Sequence, residues 1–222
     1  MCWGTSPRLW KKRRWTTVPV CKDREYRAMS LLLPPQAAEK RLDSEYYVEG
    51  YATTFDDPYV LYEYDGVKYR EKIDRYALDG ADLSDVIMQY GHAGRVLARN
   101  SNGTLLLEPN ERGLFIAADL SKSEAARSMY EEIGSGLVTR MSWAFRVEKD
   151  AYDRATRTRT VLKIAKVYDV SAVSVPANPA TEISARSYFD GVIERERQEQ
   201  LAAEAAARRK QRLKVYLEVI RK

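Results

Sequence analysis

One histidine and two cysteines in 222 residues leave little room for metal chemistry. A His/Cys zinc site needs three or four such ligands, and Cys2 and Cys21 lie far from His92 along the chain. Two cysteines allow one disulfide at most, so a small bridge-stapled secreted scaffold is not expected. No run of about 18 apolar residues occurs, so no membrane-spanning helix is expected. Lys11, Lys12, Arg13 and Arg14 are not followed by the apolar segment of a secretory signal. The expectation is a cytosolic protein with reduced thiols and with neither metal nor cofactor.

What is present is globular in composition, with 45% hydrophobic and 31% charged residues. The length suits one ordinary domain with tails. The net charge is +5, but it is unevenly spread. Residues 1–28 carry +6, residues 29–190 carry −5 and residues 191–222 carry +4. A nucleic-acid reader carries its positive stripe on the folded domain, so the acidic middle argues against one.

Residues 1–23 show no period and read as a basic, disordered extension. Arg24–Leu33 reads as a strand and residues 34–44 as a polar connector. Tyr46–Phe55 is aromatic and β-branched, a strand with a bulge expected at Gly50. Asp65-Gly66 between Tyr59–Tyr64 and Val67–Ile73 is a strong hairpin signal. Alternation at Val86, Met88 and Tyr90 predicts a short strand running up to Gly91-His92. Gly103–Glu108 and Leu114–Asp119 read as paired strands. Ser121 with Glu124 predicts a capping box opening a helix that ends at Gly134–Gly136. Val138–Lys149 and Thr160–Val175 read as strands around a polar turn at residues 150–159, and 177–188 as loop or short helix. From Ile193 to Ile220, with no Gly or Pro, the composition is helical. The expected fold is α+β: a mostly β core, closed or nearly closed, with a few helices and a C-terminal helical tail. The expected segments are 1–23, a domain over 24–188 and a tail over 189–222.

His92, between Gly91 and Ala93-Gly94, reads as an accessible general base or as an ordinary loop histidine. In Met141-Ser142-Trp143-Ala144-Phe145, alternation sends Met141, Trp143 and Phe145 into the core. Ser142 then shares the other face with Arg140 and small Ala144. It reads as an activated nucleophile or as a plain strand serine. Asp169, in an otherwise apolar strand, is costly to bury unless paired. Orienting an imidazole would pair it, and a solvent-facing position is the alternative. Ser174, Asn178 and Thr181 around Pro176 and Pro179 read as a site wall or a rigid turn. Arg95 and Arg140 read as anion donors or as solvated arginines.

Taken in order, the segments VEGYATTF (48–55), Gly91-His92, GTLLLE (103–108), ERGLF (111–115), the helix over 123–133, MSWAF (141–145) and YDVSAVSVPANPAT (168–181) resemble the prohead serine proteases of tailed bacteriophages. That family is related in fold to the herpesvirus assembly protease. The resemblance implies a serine endopeptidase with Ser142 as nucleophile, His92 as general base and Asp169 as third member. The herpesvirus relatives use a second histidine there, which this chain lacks. Many phage members carry Glu at the position of Asp169, so the carboxylate is set back by one methylene. Gly91 and Ala93 stand where the family has Asn and Asp. The implied substrates are the major capsid protein and the scaffold, with self-processing and a homo-oligomer, inside the assembling procapsid in the host bacterial cytoplasm. The C-terminal helix would be a targeting or self-cleaved tail. The rival readings are a non-enzymatic capsid-assembly component and a basic-tailed nucleic-acid-binding protein.

Overall fold

The computed structural model describes residues 24–30, 32–33, 40–174 and 179–220. Its strands in chain order are β1 (Glu25–Ser30), β2 (Leu32–Leu33), β3 (Tyr47–Thr54), β4 (Tyr59–Tyr64), β5 (Val67–Ile73), β6 (Ile87–Tyr90), β7 (Val96–Arg99), β8 (Leu105–Pro109), β9 (Gly113–Asp119), β10 (Arg140–Asp153) and β11 (Thr158–Val173). Helix α1 (Glu124–Gly134) lies between β9 and β10, and α2 (Pro179–Ile220) follows β11. The fold is α+β and mostly β.

The strands form two sheets. The larger runs β1-β10-β11-β5-β4, with β6 beside β11 and β7 beside β6. The smaller runs β2-β3-β9-β8. β11 is 16 residues long, about 50 Å at the usual rise, so it can carry two parallel neighbours end to end. β5 pairs along Thr158–Val161 and β6 along Asp169–Ala172.

The expected closed or nearly closed sheet is not what these strands build. Among the described residues the larger sheet keeps three free edges, at β1, β4 and β7, and the smaller keeps two, at β2 and β8; the single strand expected over Arg24–Leu33 is divided between the sheets as β1 and β2. The free edges are blunted rather than joined. β4 carries exposed Glu63, and β8 ends at half-buried Glu108 and exposed Pro109, where a missing N–H and a charge discourage further pairing.

The core fills the space between the sheets. Val48, Ala52, Leu114 and Ile116 from the smaller sheet meet Met88, Trp143, Phe145 and Val167 from the larger, with Met129 and Ile133 of α1 closing one side. The β4–β5 hairpin turns at Asp65 and Gly66, at φ 51° and 72°, the doubly positive signature that suits the right-handed twist of the strands. The bulge in β3 falls at Ala52 rather than Gly50, which pairs regularly with Ile116.

Helix α1 starts two residues later than the capping-box signal predicts. Asp119 takes the Ser121 amide at 3.0 Å, and Ser123 is the cap, accepting from the Ala126 amide at 3.1 Å. Its last turn closes as a Schellman motif, with Gly136 donating to Ile133 and Leu137 to Glu132.

α2 is one helix of 42 residues, about 60 Å long, where a loop and a separate helix were expected. Pro179 suits its first position, and exposed Gly191 is tolerated inside it. Tyr188, Phe189 and Val192 bury against Tyr69 and Tyr152 in a second apolar cluster. The expected boundary at 188/189 therefore falls inside a helix anchored at that point. No helix is long and apolar enough to cross a membrane among the described residues. Residues 1–23 lie outside the described residues.

Candidate active site

β6 is held parallel to the last part of β11, and its extension continues the pairing, with the Gly91 amide donating to Ala172 O at 3.0 Å. The chain then reverses through Gly91 and His92, at φ 62° and 63°. A left-handed histidine costs of order 1 kcal/mol and persists only where its surroundings hold it. Gly94 closes the turn by donating to Tyr90 O at 3.0 Å. A Cβ on Gly94 would stand 2.9 Å from that same oxygen, so no larger residue fits without a shift.

Ser142 lies in β10 between two partners, Ser171 on β11 and Ala28 on β1. Asp169 lies two residues before Ser171, opposite Ala144. Directly opposed and i, i+2 residues share a sheet face, so Ser142, Ser171 and Asp169 point to one side. The β6–β7 turn brings His92 to that side. His92 Nε2 lies 2.6 Å from Ser142 Oγ, and His92 Nδ1 lies 2.5 Å from Asp169 Oδ1. A carboxylate only accepts, so the proton of that second bond belongs to Nδ1, which leaves Nε2 free to accept from Ser142. Ser171 Oγ donates to the same Asp169 Oδ1 at 2.7 Å. The ring of Tyr26 meets His92 edge-on, with centroids 4.7 Å apart. Ser142 Oγ also lies 3.0 Å from the main-chain carbonyl of Arg27.

All three side chains are withdrawn from solvent: Ser142 is 2% exposed, and the His92 and Asp169 side chains 4% each. Two donors answer the cost of burying the Asp169 carboxylate. The arrangement is an ordered relay of hydroxyl, imidazole and carboxylate, able to take a proton from Ser142 and stabilise the resulting imidazolium.

Of the other sequence candidates, exposed Ser174 shares a 2.9 Å hydrogen bond with the Tyr90 hydroxyl. Asn178 lies outside the described residues, and Thr181 falls within α2. Arg95 and Arg140 are exposed, and neither forms an ion pair among the described residues. Sequence reasoning missed Ser171, although its i, i+2 spacing from Asp169 was available. It also missed Tyr26 and the Arg27 carbonyl, which no local pattern announces. No cluster of three or more His, Cys, Asp or Glu is placed to hold a metal ion among the described residues.

Residues 150–159 are not simply a polar turn. Asp150 and Arg159 are buried and join Glu25, Arg27 and Glu71 in a buried charge cluster beside the site. Arg27 bonds Glu71 through Nε at 2.5 Å and Nη2 at 2.9 Å, and reaches Glu25 at 2.5 Å. Arg159 bonds Glu25, Glu71 and Asp150 at 2.6–2.9 Å. The Tyr59 hydroxyl donates to Glu71 at 2.6 Å. Burial pushes the Glu71 carboxyl up, but the charge and hydrogen bonds of Arg27, with Arg159, outweigh it and hold Glu71 down at about 2. Glu25 is lowered in the same way, burial being outweighed by Arg27 and Arg159. Asp150 is raised, because burial there exceeds what Arg159 returns, and its Oδ1 has no hydrogen-bond partner among the described residues. The cluster ties β1 to β5, β10 and β11, and so fixes the strand that runs beside Ser142.

Among known proteins, the family model described as caudovirus prohead serine protease matches residues 35–192. No curated protein and no solved structure matches.

Proposed function

The chain belongs to the caudovirus prohead serine protease family, and from that premise we propose that it is a serine endopeptidase of capsid maturation in which Ser142 is the nucleophile, His92 the general base and Asp169 the orienting carboxylate. The observation that carries the reading is the unbroken relay Ser142–His92–Asp169, with links of 2.6 and 2.5 Å between three buried side chains drawn from β10, the turn after β6, and β11. His92 accepts the Ser142 proton as Oγ attacks a peptide carbonyl. It then returns that proton to the leaving amine, and water releases the acyl group. Asp169 keeps the ring in the tautomer whose Nε2 is a base, and Ser171 holds Asp169 in turn.

The substrates in this reading are the major capsid protein, its scaffold and the chain itself, inside the assembling procapsid in the bacterial cytoplasm. The catalytic unit is the folded body, and α2 beyond Val192 is a targeting or removable tail. The match ends at residue 192, one residue before Ile193, the last residue of α2 that packs on the apolar cluster.

The test is co-expression with the cognate capsid protein, comparing the parent with Ser142→Ala and His92→Ala. Fragments are expected with the parent alone. Processing that survives Ser142→Ala ends the assignment. Normal assembly with both variants and no cleavage by the parent would instead favour a structural component. Salt-sensitive DNA binding independent of Ser142 would favour a nucleic-acid binder.

A further inference from the structure

The edge of β10 beside Ser142 is covered by β1, and the contact is not neutral for the chemistry. Ser142 Oγ has a single proton and two acceptors, His92 Nε2 at 2.6 Å and the Arg27 carbonyl at 3.0 Å. When that proton points to Arg27, the bond to His92 must be donated by Nε2. The ring, already donating from Nδ1 to Asp169, is then an imidazolium and cannot act as base. The β1 carbonyl thus competes with the general base for the proton that must be removed. β1 also shields the hydroxyl, and Tyr26 packs on the imidazole.

β1 lies alongside β10 as an antiparallel partner from Glu25 opposite Phe145 to Ser30 opposite Arg140, with Ala28 opposite Ser142. It is the outermost strand of its sheet. It also precedes residues 35–192, the part of the chain that the family shares. A serine protease reads an extended peptide, and an extended peptide binds by adding a strand to a free sheet edge. The segment that puts a peptide carbonyl within hydrogen-bond reach of the nucleophile is therefore in the place such a peptide would take.

We infer that the β10 edge from Arg140 to Phe145 is the binding edge for an extended peptide substrate, and that Glu25–Ser30 is its resident occupant, which must leave before substrate pairs there. The inference rests on Ser142 being the nucleophile. The charge cluster sets how firmly the occupant is held, since Glu25 and Arg27 are its only members from β1.

A reversible lock tests this in the full chain. Ser30 and Arg140 are Cα partners, so Ser30→Cys with Arg140→Cys, in a chain with Cys2 and Cys21 changed to Ser, joins β1 to β10 when oxidised. Labelling of Ser142 by a fluorophosphonate is expected to be about tenfold or more slower in the oxidised form than in the same protein reduced, as for a site reached through local opening. Equal labelling in both forms overturns this inference and leaves the nucleophile in place. Labelling in neither form removes the nucleophile, and this inference with it. Amide hydrogen exchange of the parent adds a measure that needs no catalysis. Glu25–Ser30 is expected to exchange about tenfold or more faster than the β10–β11 ladder. Exchange of both only on global unfolding overturns the inference.

Discussion

Ser171 Oγ and His92 Nδ1 converge on one oxygen, Asp169 Oδ1, at 2.7 and 2.5 Å. The carboxylate is therefore fixed from its own strand as well as from the ring it faces. Ser171→Ala removes one of those bonds and leaves the packing almost unchanged. kcat for capsid-protein cleavage is expected to fall about tenfold, near the worth of one charge-assisted hydrogen bond. Asp169→Asn should cost more, about a hundredfold or beyond, because the amide favours the wrong tautomer of His92. Unchanged kcat in Ser171→Ala, measured with the thermal midpoint held constant, would show that the second bond is idle.

Gly94→Ala tests the turn that carries His92. The added Cβ meets Tyr90 O at 2.9 Å, so the loop must shift or the bond from the Gly94 amide must lengthen. The expectation is a modest stability loss of about 1–2 kcal/mol with a disproportionate loss of cleavage, since an ångström at the base is costly. A variant with parental activity would show that the turn tolerates the displacement.

The charge cluster predicts acid sensitivity of a definite sign. Glu71 is held at about 2 against an ordinary 4.5. Its contribution is complete above the ordinary value and is lost as the pH falls from about 4.5 toward 2. Asp150, raised by burial, acts in the opposite sense, gaining as it protonates. Denaturant unfolding between pH 6 and 3 should therefore show falling stability in the parent. Glu71→Gln should be about 3–5 kcal/mol less stable at pH 7, because Arg27 and Arg159 lose a shared partner, and its pH slope should be shallower. An unchanged slope would assign the acid response to other carboxylates.

Phe189→Ala separates the anchored part of α2 from the free part. Phe189 is fully buried, stacks on Tyr62 and meets Tyr69 at a tilt, so its removal is expected to cost about 3–5 kcal/mol. Leu213→Ala, at an exposed position, should stay within about 0.5 kcal/mol. A large effect at Leu213 would mean that the distal helix is covered in solution.

Local chemistry was the legible part of this molecule. The Asp65-Gly66 turn and its two strands follow from one dipeptide whose backbone preference is strong. The strand leading to His92 and the strand around Ser142 follow from alternation, and motif order links them to Asp169. What depended on distant pairing was not legible. Glu25, Arg27, Glu71, Asp150 and Arg159 are charges that each read as solvated on their own, and burial becomes tolerable only when all five meet. The cap of α1 was misplaced because two serines flank Lys122, and Asp119 on the preceding strand takes the amide of the first. Gly191 hid the continuity of α2, since an isolated glycine argues against a helix that tertiary packing of Tyr188, Phe189 and Val192 then holds.

That same helix sets a reach. Beyond Val192 it runs 28 residues to Ile220, about 40 Å of helix with exposed sides over 198–214. A flexible tether of equal length would let the domain sample a whole volume around its attachment point. A rod confines it to a shell. If the tip is fixed to a capsid wall, peptide bonds near that shell are presented to Ser142 at high effective concentration, and those close to the attachment point are out of range. Shortening the helix by whole turns would then move the cleavage pattern inward without touching the chemistry.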